Sequence, residues 1–203
     1  MQVKKKIIIF DLDGVLVNSL INMQYSWNKV KKKYKLHIPF SDYKKHIGLP
    51  FNDILKNLDI NKFKKEIYLD YNLYSQKNLH KIKFYKNTKK IMKLLKKNYY
   101  LAVFTSKNRE RCDLLLSDIG ITFDAIITPQ DVKKGKPNPE GIIKIKKKLN
   151  ISNKNIYFIG DSIFDKIAAK KAKINFLFAV WGYTQNFGRS KKLFSLSEIF
   201  SHI

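Results

Sequence analysis

The chain has 203 residues, 44% of them hydrophobic and 28% charged, with a formal net charge of +25. That length buries one good core, or a main domain with a small insert, and the composition is that of a globular protein rather than a disordered one. No apolar run approaches the roughly 18 residues of a membrane span, no secretory leader is legible at the amino end, and a single cysteine, Cys112, excludes an internal disulfide. The expectation is a cytoplasmic protein with no membrane partner.

The positive charge has two readings. One is a nucleic-acid surface. The other is a lysine-rich bias spread over solvated helix faces. Arginine, the usual reader of phosphate forks and guanine edges, occurs only at Arg109, Arg111 and Arg189. Lysines fall in every segment, among them Lys4 to Lys6, Lys31 to Lys33, Lys96 and Lys97, and Lys146 to Lys148. Bias is the favoured reading and nucleic acid is not expected as a partner. The excess charge can still raise encounter rates with anionic substrates.

In chain order, Ile7-Ile8-Ile9-Phe10 is short, β-branched and uninterrupted, which suits a strand buried on both faces of a parallel sheet. Asp11 and Asp13 follow at spacing two, with Gly14 next. In extended chain such residues start on one side. They are either turn residues or the acids of a site at the carboxyl end of a strand in an open α/β sheet.

Ser19 can cap a helix whose apolar face is Leu20, Met23, Trp27, Val30 and Tyr34. Pro39 interrupts the pattern, Ser41 can cap a short helix, and the segment from His46 to Pro50 reads as a turn. A second short helix carries Phe51, Ile54, Leu55 and Leu58. A longer one opens at Asn61, with Phe63, Ile67, Tyr71 and Tyr74 on one face. Residues 20 to 80 are therefore expected to be helical without a strand. Four histidines, His37, His46, His80 and His202, form no zinc-ligand spacing.

Asn87 begins a helix, and a buried strand, residues 100 to 104, ends in Thr105-Ser106-Lys107-Asn108. A hydroxyl with free backbone N–H groups after a strand is a modest phosphate cradle. An amphipathic helix follows from Arg109 to Ile119, with Gly120 as its C-cap and Cys112 on its buried face. A third strand covers residues 123 to 128. The loop Gly135-Lys136-Pro137-Asn138-Pro139 then leads into a helix capped by Asn138. The strand Ile156 to Ile159 runs into Gly160-Asp161-Ser162-Ile163-Phe164-Asp165, a helix follows to about Lys173, and a last strand covers residues 175 to 180. The carboxyl tail from Leu196 reads as a terminal helix.

Asp11-x-Asp13-Gly14-Val15, the strand ending in Thr105, the Lys136-Pro137-x-Pro139 loop and Gly160-Asp161-x-x-x-Asp165 stand in the order of the four motifs of the haloacid dehalogenase superfamily. Trp181-Gly182-Tyr183 resembles the loop after the last strand of its phosphoglycolate phosphatase-like members. The resemblance covers about residues 5 to 185. It implies an α/β fold, a Rossmann-like three-layer α/β/α core with a parallel sheet, formed by residues 1–18 and 82–203. A small α-helical cap, residues 19–81, is inserted after the first strand. The implied activity is Mg²⁺-dependent hydrolysis of a small phosphorylated metabolite, a phosphoglycolate or sugar phosphate type of monoester.

By the same resemblance Asp11 is the nucleophile and forms an aspartyl-phosphate. Asp13 is the general acid and then the base, a role that predicts its burial beside other acids. Thr105, Ser106 and Lys136 hold phosphoryl oxygens. Asp11, the backbone carbonyl of Asp13, and Asp161 hold Mg²⁺, a hard ion suited to oxygen ligands. Asp165 orients Lys136 or a metal-bound water. The turn with His46 and Gly48 either faces the substrate or only joins two helices. Two alternatives stay open: a phosphomutase resembling β-phosphoglucomutase, and a basic nucleic-acid-binding protein on the same scaffold. Oligomeric state is not legible.

Overall fold

A computed structural model describes residues 6–184 and 190–203. Lys4, Lys5 and Arg189, named above among the basic residues, lie outside the described residues. Strand β1 (Ile7–Phe10) is followed by β2 (Val17–Asn18), α1 (Leu20–Lys33), α2 (Phe40–Lys44), α3 (Phe51–Asn57), α4 (Lys64–Lys77) and β3 (Lys83–Phe84). Helix α5 (Thr88–Asn98), β4 (Tyr100–Phe104), α6 (Arg109–Ser117), β5 (Ala125–Ile127) and α7 (Glu140–Leu149) come next. The chain continues through β6 (Ile156–Gly160), α8 (Ile163–Ala172), β7 (Asn175–Ala179), β8 (Lys191–Leu193) and α9 (Ile199–His202).

Six strands pair in the order β5-β4-β1-β6-β7-β8, each neighbour parallel. Side chains alternate between the faces of a strand, and here both faces are covered. Ile7 and Ile9 pack with Ala102, Phe104 and Phe158 against Ile142 and Ile145 of α7 and Ala168 and Ala169 of α8. Ile8 and Phe10 point the other way, to Ile91, Met92 and Leu95 of α5, Leu115 and Leu116 of α6, and Ile199 of α9. This is the three-layer α/β/α core. It explains why β1 carries no polar residue along its length: every position is inside. Each such side chain contributes roughly 1.5–3 kcal/mol, so the middle of the sheet is a stiff frame for whatever sits at its ends.

The topology decides where that is. From β1 the chain moves outward to β4 and β5, then returns to the other side of β1 for β6 and continues to β7. Strands β1 and β6 are adjacent and feed loops that leave in opposite directions. Between such strands the carboxyl ends open into a crevice.

Helices α1 to α4 form a cluster of their own around Trp27, Tyr43, Leu55, Ile67 and Tyr71. They join the sheet region through a short antiparallel ribbon in which β2 pairs with β3, Val17 opposite Phe84. On α1, Met23, Trp27 and Val30 are buried as their spacing predicts.

Several boundaries differ from expectation. Helix α4 starts at Lys64, not Asn61, because Phe63 sits in the left-handed region at φ 56° and is exposed rather than on the buried face. Ser41 lies inside α2, which follows Pro39. The strand expected at residues 123–128 pairs only over Ala125–Ile127. Strand β7 is not the last: β8 adds an edge, with Lys191 and Lys192 exposed and only Leu193 buried, a pattern without visible alternation.

Candidate active site

The tip of β1 delivers its acid by continuing the ladder one residue further. The Asp11 N–H donates to Ile159 O at 2.9 Å, and the Leu12 N–H then donates to Asp11 Oδ1 at 2.7 Å. Gly14 turns the chain away at φ +85°, and a Cβ there would stand 2.2 Å from Asp161 Oδ2. Glycine is thus required both by the backbone angle and by the acid of the neighbouring strand. Asp161 follows β6 and accepts the Tyr183 N–H at Oδ2, 2.7 Å. One oxygen each from Asp11, Asp161 and Asp165 lies within 4.8 Å of the others, and all three residues are buried.

Lys136 reaches into this group from the loop after β5. Its Nζ stands 2.9 Å from Asp11 Oδ1 and 2.8 Å from Asp165 Oδ1, with the rings of Phe104 and Phe158 5.6 and 5.9 Å away. Asp165 is held twice over. Its Oδ2 accepts from the Ser162 N–H (3.0 Å) and Oγ (2.6 Å), closing a capping box at the start of α8. Asp165 is thus in direct contact with Lys136, the geometry that an orienting role would require.

Charge does not balance here. Lys136 is shared by two carboxylates, and no Lys, Arg or His pairs with Asp161 among the described residues. Burial pushes the Asp161 carboxyl well above the usual range, and the charges of Asp11 and Asp165 push it further. Burial likewise raises Asp11, to about 7, against the pull of Lys136. Lys136 is itself buried, which opposes its charge, but Asp11 and Asp165 hold it protonated. A buried carboxylate without a partner costs several kcal/mol. An all-oxygen donor set that lacks positive charge fits a hard divalent cation of the Mg²⁺ kind.

Asp13 is buried too, but what faces it is not another acid. Lys107 Nζ stands 3.1 Å from its Oδ1, and Ser19 Oγ donates to the same oxygen at 2.5 Å. Burial lowers the Lys107 ammonium's pKa, and Asp13 opposes that. Ser19 stands at the N-cap position of α1, yet its hydroxyl makes no cap bond; it serves Asp13. The Tyr183 hydroxyl in turn accepts the Ser19 N–H at 2.6 Å.

Thr105 follows β4 directly, its N–H donating to Ile127 O and its Oγ1 accepting the Lys107 N–H at 3.1 Å. The Ser106 hydroxyl donates to Gly48 O at 2.7 Å, so it ties the sheet region to the helical segment above. Gly48, at φ +107°, packs so closely on Ser162 that a Cβ would stand 2.6 Å from its Oγ. A cavity of about 50 Å³ runs between the two regions, lined by Asp11, Asp13, Thr105 and Lys136 below and by Gly48 and Tyr71 above, among others. His46 is not with them. It borders a separate surface depression with Asp42, Asn57 and Asp59, and its Nδ1 lies 3.4 Å from Asn57 Nδ2. The turn contributes to the cavity through Gly48.

Lys107, Arg111, Ser19 and Tyr183 had no site role in the sequence. Lys107 was hidden among lysines. Arg111 carried one usable signal, since arginine is scarce in this chain.

An open parallel sheet that gathers acids where its strand order reverses belongs to the catalytic class of doubly wound α/β proteins. The chain belongs to the haloacid dehalogenase-like hydrolases, whose family model matches residues 8–179, and is a hydrolase of that family. It is 30% identical to the putative pyrophosphatase PpaX of Clostridium perfringens over 82% of this chain and 80% of that one. It is 29% identical to the phosphoglycolate phosphatase of Haemophilus influenzae over 92% and 90%. Its fold matches the crystal structure of a putative phosphoglycolate phosphatase from Lactobacillus plantarum with a TM-score of 0.89 at 21% identity, over 99% and 100% of the two chains. No helix among the described residues is long and apolar enough to cross a membrane.

Proposed function

We propose that the chain is a Mg²⁺-dependent phosphatase that hydrolyses a small phosphate monoester through an aspartyl-phosphate on Asp11. The observation that carries this is the meeting of Asp11 and Asp161 at adjacent strand tips, with Lys136 against Asp11. Relatives bearing pyrophosphatase and phosphoglycolate phosphatase names support the substrate class. Among the described residues, the donors to the Asp11 carboxylate, Leu12 N–H and Lys136 Nζ, act on Oδ1, which leaves Oδ2 for other work. Both Asp165 oxygens are engaged, by Lys136 and Ser162. Asp11, Asp161 and the Asp13 carbonyl are therefore the better ligand set, with Asp165 behind Lys136. A Mg²⁺ ion held there would supply the positive charge this cluster lacks and reduce repulsion between nucleophile and phosphoryl group.

The chain's own residues do the rest. The Asp11 carboxylate attacks phosphorus in line, and the bond to the leaving oxygen breaks. That oxygen takes a proton from Asp13, positioned by Ser19 and Lys107. A water then attacks the phosphorus of the aspartyl-phosphate, gives its proton to Asp13, and frees inorganic phosphate and Asp11. Lys136 and Thr105 hold the phosphoryl oxygens, and Ser106 does so through its backbone N–H, because its hydroxyl proton goes to the Gly48 carbonyl. Residues 19–81 act as a cap that excludes water and selects the leaving group, over a core of residues 1–18 and 82–203. Phosphate release from an aryl phosphate tests the proposal. It is expected with Mg²⁺ and not with EDTA, and no Mg²⁺-dependent release from any of a broad monoester panel overturns it.

A further inference from the structure

Arg111 is 7% exposed and lines the same cavity as Asp11 and Lys136. It stands on the first turns of α6, yet it looks towards the helical segment, not solvent. Nε donates to Asn108 Oδ1 at 2.6 Å and one Nη donates to Ser75 Oγ of α4 at 2.5 Å. The Tyr71 ring is 5.9 Å away. All of these partners are neutral, and no carboxylate pairs with Arg111 among the described residues. A guanidinium has five N–H donors in a fixed fork. Two are used. Every other buried cation at this site has an acid: Lys136 has Asp11 and Asp165, and Lys107 has Asp13. An unpaired buried charge is costly to keep, and a planar fork open towards a cavity matches a carboxylate or phosphate.

We propose that Arg111 is the anchor for a second anionic group, carried on the leaving-group side of the substrate. The substrate class is then a small phosphate ester or anhydride with a carboxylate or phosphate beyond the scissile bond. This rests on the phosphatase reading above and narrows it. Size agrees: about 50 Å³ between strand tips and helices suits a leaving group of a few heavy atoms. The arrangement also selects. The cation lies on the sheet side, but its Ser75 contact is on the helical side, so an anion bound there bridges the two regions when they are closed.

The test uses the intact enzyme with Mg²⁺ and compares kcat/KM for 2-phosphoglycolate, inorganic pyrophosphate and 2-hydroxyethyl phosphate, whose tail is neutral. At least one anionic-tail substrate is expected to be preferred by roughly 30-fold or more, as loss of a charge-assisted fork contact predicts. Arg111→Gln should collapse that preference mainly through KM, and Arg111→Lys should restore part of it. Which of the first two substrates loses more tells a carboxylate tail from a phosphate tail. Equal losses on all three substrates would make Arg111 a latch between α6 and α4 and overturn the proposal, as would an unchanged preference. Where Arg111→Gln fails to fold, the wild type decides: phosphonoacetate should bind at least tenfold more tightly than ethylphosphonate by calorimetry, and equal affinities overturn it. A wild type that turns over none of the three, nor an aryl phosphate, refutes the phosphatase reading itself and this inference with it.

Discussion

The carboxyl tips of the central strands and the interior of the helical segment above them bury polar groups on opposite terms. Inside the helices the buried amide and indole groups have neutral answers. Asn22 donates to the carbonyls of Ser75 and Asn78 at 2.9 and 2.8 Å and accepts the Ser75 hydroxyl at 2.6 Å. The Trp27 indole N–H donates to Ile38 O at 3.1 Å. At the strand tips, three carboxylates crowd together and the one lysine among them, Lys136, pairs with only two, Asp11 and Asp165. Satisfied polar groups add to stability by about 1 kcal/mol each, while crowded buried charges subtract from it. The first region is arranged to stay folded. The second gives up stability to hold charge where a reaction needs it.

The comparison is broken most sharply by Asp11→Asn. Turnover of an aryl phosphate should fall roughly 10³-fold or more, as for other groups acting as a unit with their neighbours. The melting temperature without Mg²⁺ should hold or rise, because one of three mutually repelling charges is gone. Retained turnover removes Asp11 as the nucleophile; a collapsed melting temperature means the charges there are balanced after all. Trp27→Ala is the counterpart in the helices. Trp27 is fully buried with its ring centroid 4.8 Å from that of Tyr43 in a tilted pair, so its removal should cost about 3–5 kcal/mol, read by urea unfolding. If the loss is under 1 kcal/mol, the helical cluster is not a packed core.

The same contrast explains what was legible in the sequence. Ile7 to Phe10 read as a doubly covered strand because all four positions are inside, and the motif residues Asp11, Lys136, Asp161 and Asp165, legible by their spacing, do lie together in the structure. Ser19 takes the N-cap position its sequence suggests, but its hydroxyl does not cap the helix, because its partners, Asp13 and a tyrosine 164 positions away, are set by tertiary structure. Lys107 is hidden for the same reason, and Arg111 shows only by its scarcity. Lysine after a strand and arginine on a helix are ordinary until burial shows which of them faces a cavity. Strand β8 escaped because a two-lysine edge has no apolar period. The start of α4 was misplaced because a left-handed residue, Phe63, is set by context rather than propensity.

A smaller effect sharpens the charge argument through pH. Asp11 is raised from an ordinary 3.8 to about 7, by burial first and against Lys136. A carboxyl raised on folding keeps its proton in the native state while the unfolded chain has lost it. Stability from this group is therefore full below about pH 4 and declines as pH climbs to about 7. A divalent cation competes with that proton, so the Mg²⁺-induced gain in melting temperature should be several degrees larger at pH 8 than at pH 5.5. Differential scanning fluorimetry reads it. Asp161→Asn should remove most of the gain, and an equal gain at both pH values would separate the cation from these acids.

Asp131 supplies the mildest test, because it is an acid treated like the polar groups of the helices. Its Oδ2 accepts the Thr128 N–H at 2.7 Å, the Thr128 hydroxyl at 2.7 Å and an Arg109 Nη at 2.6 Å. Partial burial works against its charge, but the Thr128 and Arg109 donors hold the carboxyl below its ordinary value. The sign is now reversed. Its contribution is present above the unfolded value near 4 and disappears as pH falls through the lower folded value. Asp131→Ala should thus cost about 1 kcal/mol at pH 7, the worth of a cap, and less at pH 2.5. Urea unfolding at the two pH values measures it. A cost that stays the same in acid would show that Asp131 acts by packing rather than by charge, and would leave the strand tips without their contrasting case among the acids.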